Sequence, residues 1–171
     1  MWAAAFTVLY VILFVASGSW HVFLVGNPIL PVRVGDCVIQ RTTVCQDANL
    51  EQAQLARAAL RGSNLLKVNL SGSNLWHADL RGANLTDANL SWANLRYTNL
   101  REAILIDANL SGANLIGADM READMRGAYL HGANLSGAIL GSAKLRGAKY
   151  DIFTIWPEGF DLQGETMVME E

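Results

Sequence analysis

From Leu50 to Leu145 every fifth residue is Leu or Met, and only Met120 and Met125 break the run of leucines. Two residues before each, from Ala48 to Ala143, stands Ala in sixteen of twenty units, with Ser63, Val68, Ser73 and Thr98 in the others. Between the two lies Asn or Asp in fourteen of the twenty. The unit A-(N/D)-L-x-x thus runs twenty times without an insertion, and such a repeat decides the fold before any other reading. A period of five does not suit an α-helix, because at 3.6 residues per turn successive leucines drift round the cylinder. It suits a strand only locally. The small residue and the Leu, two apart, face the same way, but five is odd, so a continuing strand would turn its next Leu outward. The chain must bend once per unit. Gly ends nine of the units, Gly62 and Gly112 among them, where a bend uses its free φ. Short extended pieces joined by bends predict a coil with leucines stacked inside.

The units ADMREADMRG (Ala118–Gly127), GANL (Gly112–Leu115) and RGANLTDANLSWANL (Arg81–Leu95) resemble the pentapeptide-repeat family. The resemblance covers about 100 of 171 residues. It implies an all-β fold, a right-handed quadrilateral β-helix with four units to a coil. Twenty units would then make about five coils, roughly 24 Å long at ~4.8 Å between stacked strands. The run Lys149-Tyr150-Asp151 followed by Thr154–Asp161 is similar to the ending of many cyanobacterial members.

Met1 to Val32 holds no Asp, Glu, Lys or Arg. About 20 apolar residues suffice to cross a bilayer, and Trp2 and Trp20 stand where interfacial aromatics would sit. Residues 2–25 are therefore expected to form an uncleaved N-terminal transmembrane helix. A cleaved signal peptide with Ala16-Ser17-Gly18 as its site competes, although a basic n-region is missing. The expected order is an anchor or signal segment over 1–32, an N-terminal cap over 33–47, the β-helix over 48–150, and a C-terminal cap and loose acidic tail over 151–171.

A solenoid's first coil exposes its leucines unless something covers it. Val34–Val44 is read as that cover, as a turn of helix or a short hairpin. Cys37 and Cys45, the only cysteines, suit a disulfide in an oxidising compartment; two buried free thiols are the alternative. Arg33 and Arg41 after the apolar segment argue for a cytoplasmic rod, whereas a disulfide argues for the other side. Asp36 dilutes the charge signal, so the rod is expected at the periplasmic or thylakoid-lumen face of a single-pass anchor. After Gly147 the register fades. Ile152, Phe153, Ile155, Trp156 and Phe160 around Pro157 are expected to form a lid over the last coil.

With four units to a coil, residues twenty apart stack. One outward column is Arg61, Arg81, Arg101 and Arg121. Its plain reading is a solvated ladder balanced by Asp79, Asp119, Glu102 and Glu122; its sharper reading is a face for small anions or an acidic partner. A second edge gathers Trp76, His77, Trp92, Arg96 and Tyr97, the composition of protein-interaction patches.

No Ser-His-Asp, phosphate-loop or metal-ligand spacing is present, so neither catalysis nor a cofactor is expected. The expectation is a non-catalytic protein-interaction or scaffold module shown at a membrane, with an unidentified protein partner and a membrane complex as its candidate setting. The resemblance offers an alternative, since some members inhibit DNA gyrase by resembling DNA. Residues 48–147 carry ten Lys/Arg against eight Asp/Glu, a net of +2. That is not the acidic surface of a DNA mimic, and no nucleic-acid partner is expected.

Overall fold

The computed structural model describes residues 42–162 and 166–170, together with four short strands that precede them. In chain order the strands are β1 (Ile12–Phe14), β2 (Trp20–Val22), β3 (Val32–Val34), β4 (Cys37–Ile39), β5 (Lys149–Tyr150) and β6 (Val168–Met169). From Val44 onward the chain makes single-residue parallel bridges, each but the last to the residue twenty further on. The bridges fall into four ladders. Val44, Asn64, Asn84, Ile104, Asp124 and Lys144 form one, and those starting at Asn49, Gln54 and Ala59 form the others. Four ladders are the four sides of a rod, and the first rung lies at Val44, ahead of the repeat itself.

Each side is built the same way. The Leu amide donates to the next coil, as from Leu80 to the Asn99 carbonyl at 2.8 Å. The small residue closes the turn behind it, as from the Ala83 amide to the Leu80 carbonyl at 3.0 Å. The second turn residue has positive φ whether or not it is Gly, so the bend is set by the turn and tolerated by the residue. Asn caps the turn that follows, as where Asn84 Oδ1 accepts from the Thr86 amide at 3.1 Å. Asn side chains also bond along the rod, Asn94 to Asn74 and Asn74 to Gln54, both at 3.1 Å.

Leu and the small residue both point inward, as their spacing of two requires. Leu65 to Leu105 are wholly buried, and so are Ala83, Ser73 and Thr98. The Thr98 hydroxyl donates to the Leu75 carbonyl at 2.8 Å. Leu packs against Ala in the interior, and Val68, the largest of the small-position residues from 48 to 143, is wholly buried there.

The C-terminal end departs from expectation at three points. Asn134 bridges Ile155, twenty-one residues on rather than twenty. This extra residue moves Thr154 into the small position, where its hydroxyl reaches the Leu130 carbonyl at 2.9 Å. The lid is therefore Tyr150, Trp156, Phe160 and Met167, packed against the core, with Trp156 and Phe160 stacked at 5.0 Å. Ile152, Phe153 and Ile155, expected within it, are exposed because the added residue turns them outward. Nor is the tail loose: β6 pairs in parallel with β5, Val168 opposite Lys149. It is held because the last side presents free backbone groups that a further strand satisfies; the Val168 amide donates to Ala148 at 2.8 Å.

The expected membrane helix over 2–25 also needs correction where the segment is described. β1 and β2 there are an antiparallel pair, Leu13 opposite His21. Val, Ile, Phe and Trp favour extended pairing as readily as helix in a short apolar run. Among the described residues no helix is long and apolar enough to cross a membrane; the rest of 2–25 lies outside them. Downstream, β3 and β4 are antiparallel, with Val34 opposite Cys37.

Candidate functional site

The four arginines do form one column, at the first turn position of one corner. They line a groove of about 390 Å³ with Gly62, Gly82, Asn99, Glu102 and Asp119. Their head groups differ in partnering. Arg81 Nε donates to Asp79 Oδ1 at 2.7 Å and its Nη2 to Oδ2 at 2.6 Å. Arg121 grips Asp119 in the same two-pronged way, Nε at 2.8 Å. These hydrogen bonds from arginine hold the Asp79 and Asp119 carboxyls below the usual aspartate range, against the opposing effect of desolvation. Arg101 has Asn99, not Asp, two residues before it, and among the described residues its one carboxylate within 4 Å is Glu122, at 3.9 Å. Arg61 follows Ala59 and has no carboxylate within 4 Å among the described residues. Asp79, Asp119, Glu102 and Glu122 equal the four arginines in charge. The column is thus a nearly neutral ladder rather than a concentrated positive field.

The aromatic edge is a chain of contacts. The Arg57 guanidinium lies 4.9 Å over the Trp76 ring. Trp76 meets His77 edge-on at 4.3 Å, and His77 stacks on Tyr97 at 5.2 Å with planes 21° apart. Arg96 completes the run, 5.7 Å over Tyr97. Trp92 stands one corner back, across the ladder of Asn74, Asn94 and Asn114. Second-turn side chains lean toward the next coil. A Cβ built on Gly112 would lie 2.5 Å from the Trp92 ring, and one on Gly117 would lie 2.6 Å from Tyr97. Each ring therefore rests on a glycine one coil on, where the absence of a side chain makes the seat.

Trp92 and Tyr97 hold left-handed backbone, φ 58° and 54°, a conformation that disfavours residues with a Cβ by about 1–2 kcal/mol. Glycine fills the same turn position in nine units, so the two aromatics stand where the backbone would prefer none. Tyr97 is 45 % exposed and Trp92 75 %. The difference follows from the columns: Tyr97 has His77 on its open side, whereas Trp92 has Gly72 there.

Cys37 and Cys45 are bonded, with Cα atoms 5.4 Å apart, and both are buried. The bond ties β4 to the first coil, where the Cys45 amide donates to Asn64 at 2.9 Å. A third polar cluster escaped the sequence reading. Glu170 Oε2 lies 2.9 Å from His131 Nε2, and Glu170 Oε1 lies 3.2 Å from Lys149 Nζ. It closes the tail against the rod. His131 and Glu170 are 39 residues apart and the tail leaves the five-residue register, so no periodicity points to the pair. The seats under Trp92 and Tyr97, by contrast, are readable once residues twenty apart are placed together. Among the described residues no group of His, Cys, Asp and Glu could hold a metal ion.

Comparison with known proteins agrees with this architecture. The family described as pentapeptide repeats (8 copies) matches residues 48–87, 83–121 and 113–149. A pentapeptide repeat protein from the cyanobacterium Cyanothece 51142 is 34 % identical, with a TM-score of 0.64, over 66 % of this chain and 90 % of that one. One from Nostoc PCC 7120 is 39 % identical, with a TM-score of 0.49, over 63 % and 84 %. One from the thylakoid lumen of Arabidopsis thaliana is 25 % identical, with a TM-score of 0.41, over 61 % and 63 %. No curated protein matches the chain. Twenty uninterrupted five-residue units, wound four to a coil, make this chain a member of the pentapeptide-repeat family, whose proteins form right-handed quadrilateral β-helices.

Proposed function

We propose that the rod is a non-catalytic recognition element that docks a protein partner on the edge formed by Trp76, His77, Trp92, Arg96 and Tyr97. One observation carries this reading: Trp92 is three-quarters exposed on a left-handed residue. Burial does not account for it; the left-handed φ itself is common to this turn position. Large exposed aromatics beside arginine are the residue types that dominate binding energy at protein interfaces. The Asn ladder between the two corners adds a polar surface whose amides bond one another along the rod.

The Cys37–Cys45 bond supports a rod that works in an oxidising compartment, the periplasm or a thylakoid lumen. The charge-free stretch from Met1 to Val32 supports delivery to a membrane. The partner is then a component of a membrane complex that presents a surface on that side. The reading is tested with the full chain by affinity capture from native membranes, followed by mass spectrometry. Replacing Trp76 and Trp92 together by Ser should abolish capture of the specific partner while the variant remains folded. A folded double variant that captures the same partner equally well refutes it.

A further inference from the structure

Of the rings on the candidate edge, Trp76 and Tyr97 already have a cation of this chain over them, and His77 lies between those two rings. Trp76 has Arg57 at 4.9 Å and Tyr97 has Arg96 at 5.7 Å. Away from the edge, Tyr129 has Lys149 at 4.7 Å. Trp92 has none among the described residues, nor does it touch another ring there. Its leaning explains which face is free. The indole lies over Gly112 of the next coil, so its other face looks back along the column toward Gly72, which has no side chain to cover it. Beyond Gly72 stands Gln52, which leans into that rung from the far side, its Cγ 3.5 Å from where a Gly72 Cβ would be. Gln52 and Trp92 are two rungs apart, roughly 10 Å at the usual strand spacing. Beside Gln52 at the same corner is Glu51, which is exposed and has no cation within 4 Å among the described residues.

We propose that this rung is a binding slot for a single arginine side chain of a partner protein, which stacks its guanidinium on the open face of Trp92 and pairs with the Glu51 carboxylate. The inference rests on the partner-docking reading above and gives that partner its chemistry. Three features select arginine. The free indole face attracts a cation, and tryptophan is the strongest of the aromatic acceptors. The indole face is flat, which suits a planar guanidinium better than a tetrahedral ammonium. The Glu51 carboxylate, exposed at the same corner two coils back, is the group that would accept the remaining N–H groups in a charge-assisted pair. The same chain shows the arrangement in place at Arg57 on Trp76, with the cation supplied internally.

The test uses the full chain, labelled with ¹⁵N, and three blocked tripeptides, Gly-Arg-Gly, Gly-Lys-Gly and Gly-citrulline-Gly. The Trp92 indole N–H signal is assigned by its loss in Trp92→Phe. A saturable shift of that signal is expected with the arginine peptide, about threefold to tenfold tighter than with lysine. Citrulline, which keeps the planar shape without the charge, should give no saturation. Glu51→Gln should weaken the arginine affinity by about threefold to tenfold, leaving the spectrum of the rod otherwise unchanged. An indole that does not respond to arginine, or responds equally to all three peptides, overturns the slot. If the Trp76 and Trp92 double variant still loses its membrane partner in that case, the docking edge stands and only its arginine chemistry falls. If capture is also unaffected, both fall.

Discussion

Trp92 and Gly112 share one column, and each sets the other's cost. Gly112 has φ 66°, so an alanine there meets left-handed strain of about 1 kcal/mol. It also meets the Trp92 ring, which must leave its seat. Gly112→Ala should destabilise the rod by about 1–2 kcal/mol, and the indole emission should shift to the red as the ring swings into water. In a Trp92→Gly background the same change should cost only the backbone part. Trp92→Gly alone should alter stability by less than about 1 kcal/mol, because relief of its own left-handed φ offsets the lost ring contact. Denaturant unfolding of the two single variants and the double variant checks this; strictly additive effects would show that the ring does not rest on Gly112. At this scale much of the molecule was legible in the sequence. Leu and Ala two apart had to face inward, and the structure buries both. What a five-residue pattern does not carry is lean. That Trp92 falls toward Gly112 and away from Gly72 is a property of the turn backbone, and only the leaning direction separates the covered face from the open one.

The corner elements that carry Asp-Leu-Arg or Asp-Met-Arg act as small pH-dependent clasps. Asp79, Asp119 and Asp124 each accept both prongs of the arginine two residues on. In each the arginine hydrogen bond is the largest influence and lowers the carboxyl below its ordinary value. A group depressed on folding adds stability above its unfolded value, near pH 4, and loses it as the pH falls through the folded one. Replacing all three by Asn keeps the oxygen that caps the arginine amide and removes the charge. The melting temperature of the native rod should therefore exceed that of the triple variant at pH 6–7, and the gap should close as the pH falls below about 4. A gap that stays constant with pH would mean that shape, and not charge, holds these corners. The repeat also shows where the clasp is missing. Ala59 and Asn99 stand where Asp would have paired Arg61 and Arg101, which a reader of the sequence can see. The clasp that shuts the C-terminal end was not legible in this way. One residue is added after Tyr150, the register shifts, and the lid keeps Trp156 and Phe160 but loses Ile152, Phe153 and Ile155. The return of β6 onto β5, with Glu170 against His131 and Lys149, follows from an open backbone edge rather than from any periodic signal.

As a whole the molecule is a one-dimensional stack, in which each coil contacts only its neighbours. Its stability is then local, and what holds one end does not hold the other. The Cys37–Cys45 bond is an end effect of this kind. It fastens β4 to a residue whose amide already bonds Asn64 in the first full turn. Closing so short a loop restricts the unfolded end by about 2–3 kcal/mol. That stabilisation acts on the first coil and fades along the rod, because no contact carries it past the next coil. Hydrogen exchange can read the gradient amide by amide. The Leu50, Leu55 and Leu60 amides bond the carbonyls of Asn69, Asn74 and Asp79, so each reports the opening of coil one from coil two. After reduction, or in Cys37→Ser, these three should exchange roughly thirtyfold to a hundredfold faster. The Leu105, Leu110 and Leu115 amides, bonded to Asp124, Tyr129 and Asn134, should be unchanged. Equal acceleration along the whole rod would mean that the stack unfolds as a single unit and that the N-terminal bond governs all of it. No acceleration anywhere would mean that the first coil is held without the bond. The graded outcome has a functional corollary. Trp76, Trp92 and Tyr97 lie in the second and third coils, beyond the end that the disulfide holds, so the three rings should keep their geometry in the reduced protein, whereas Glu51 lies in the coil that loosens.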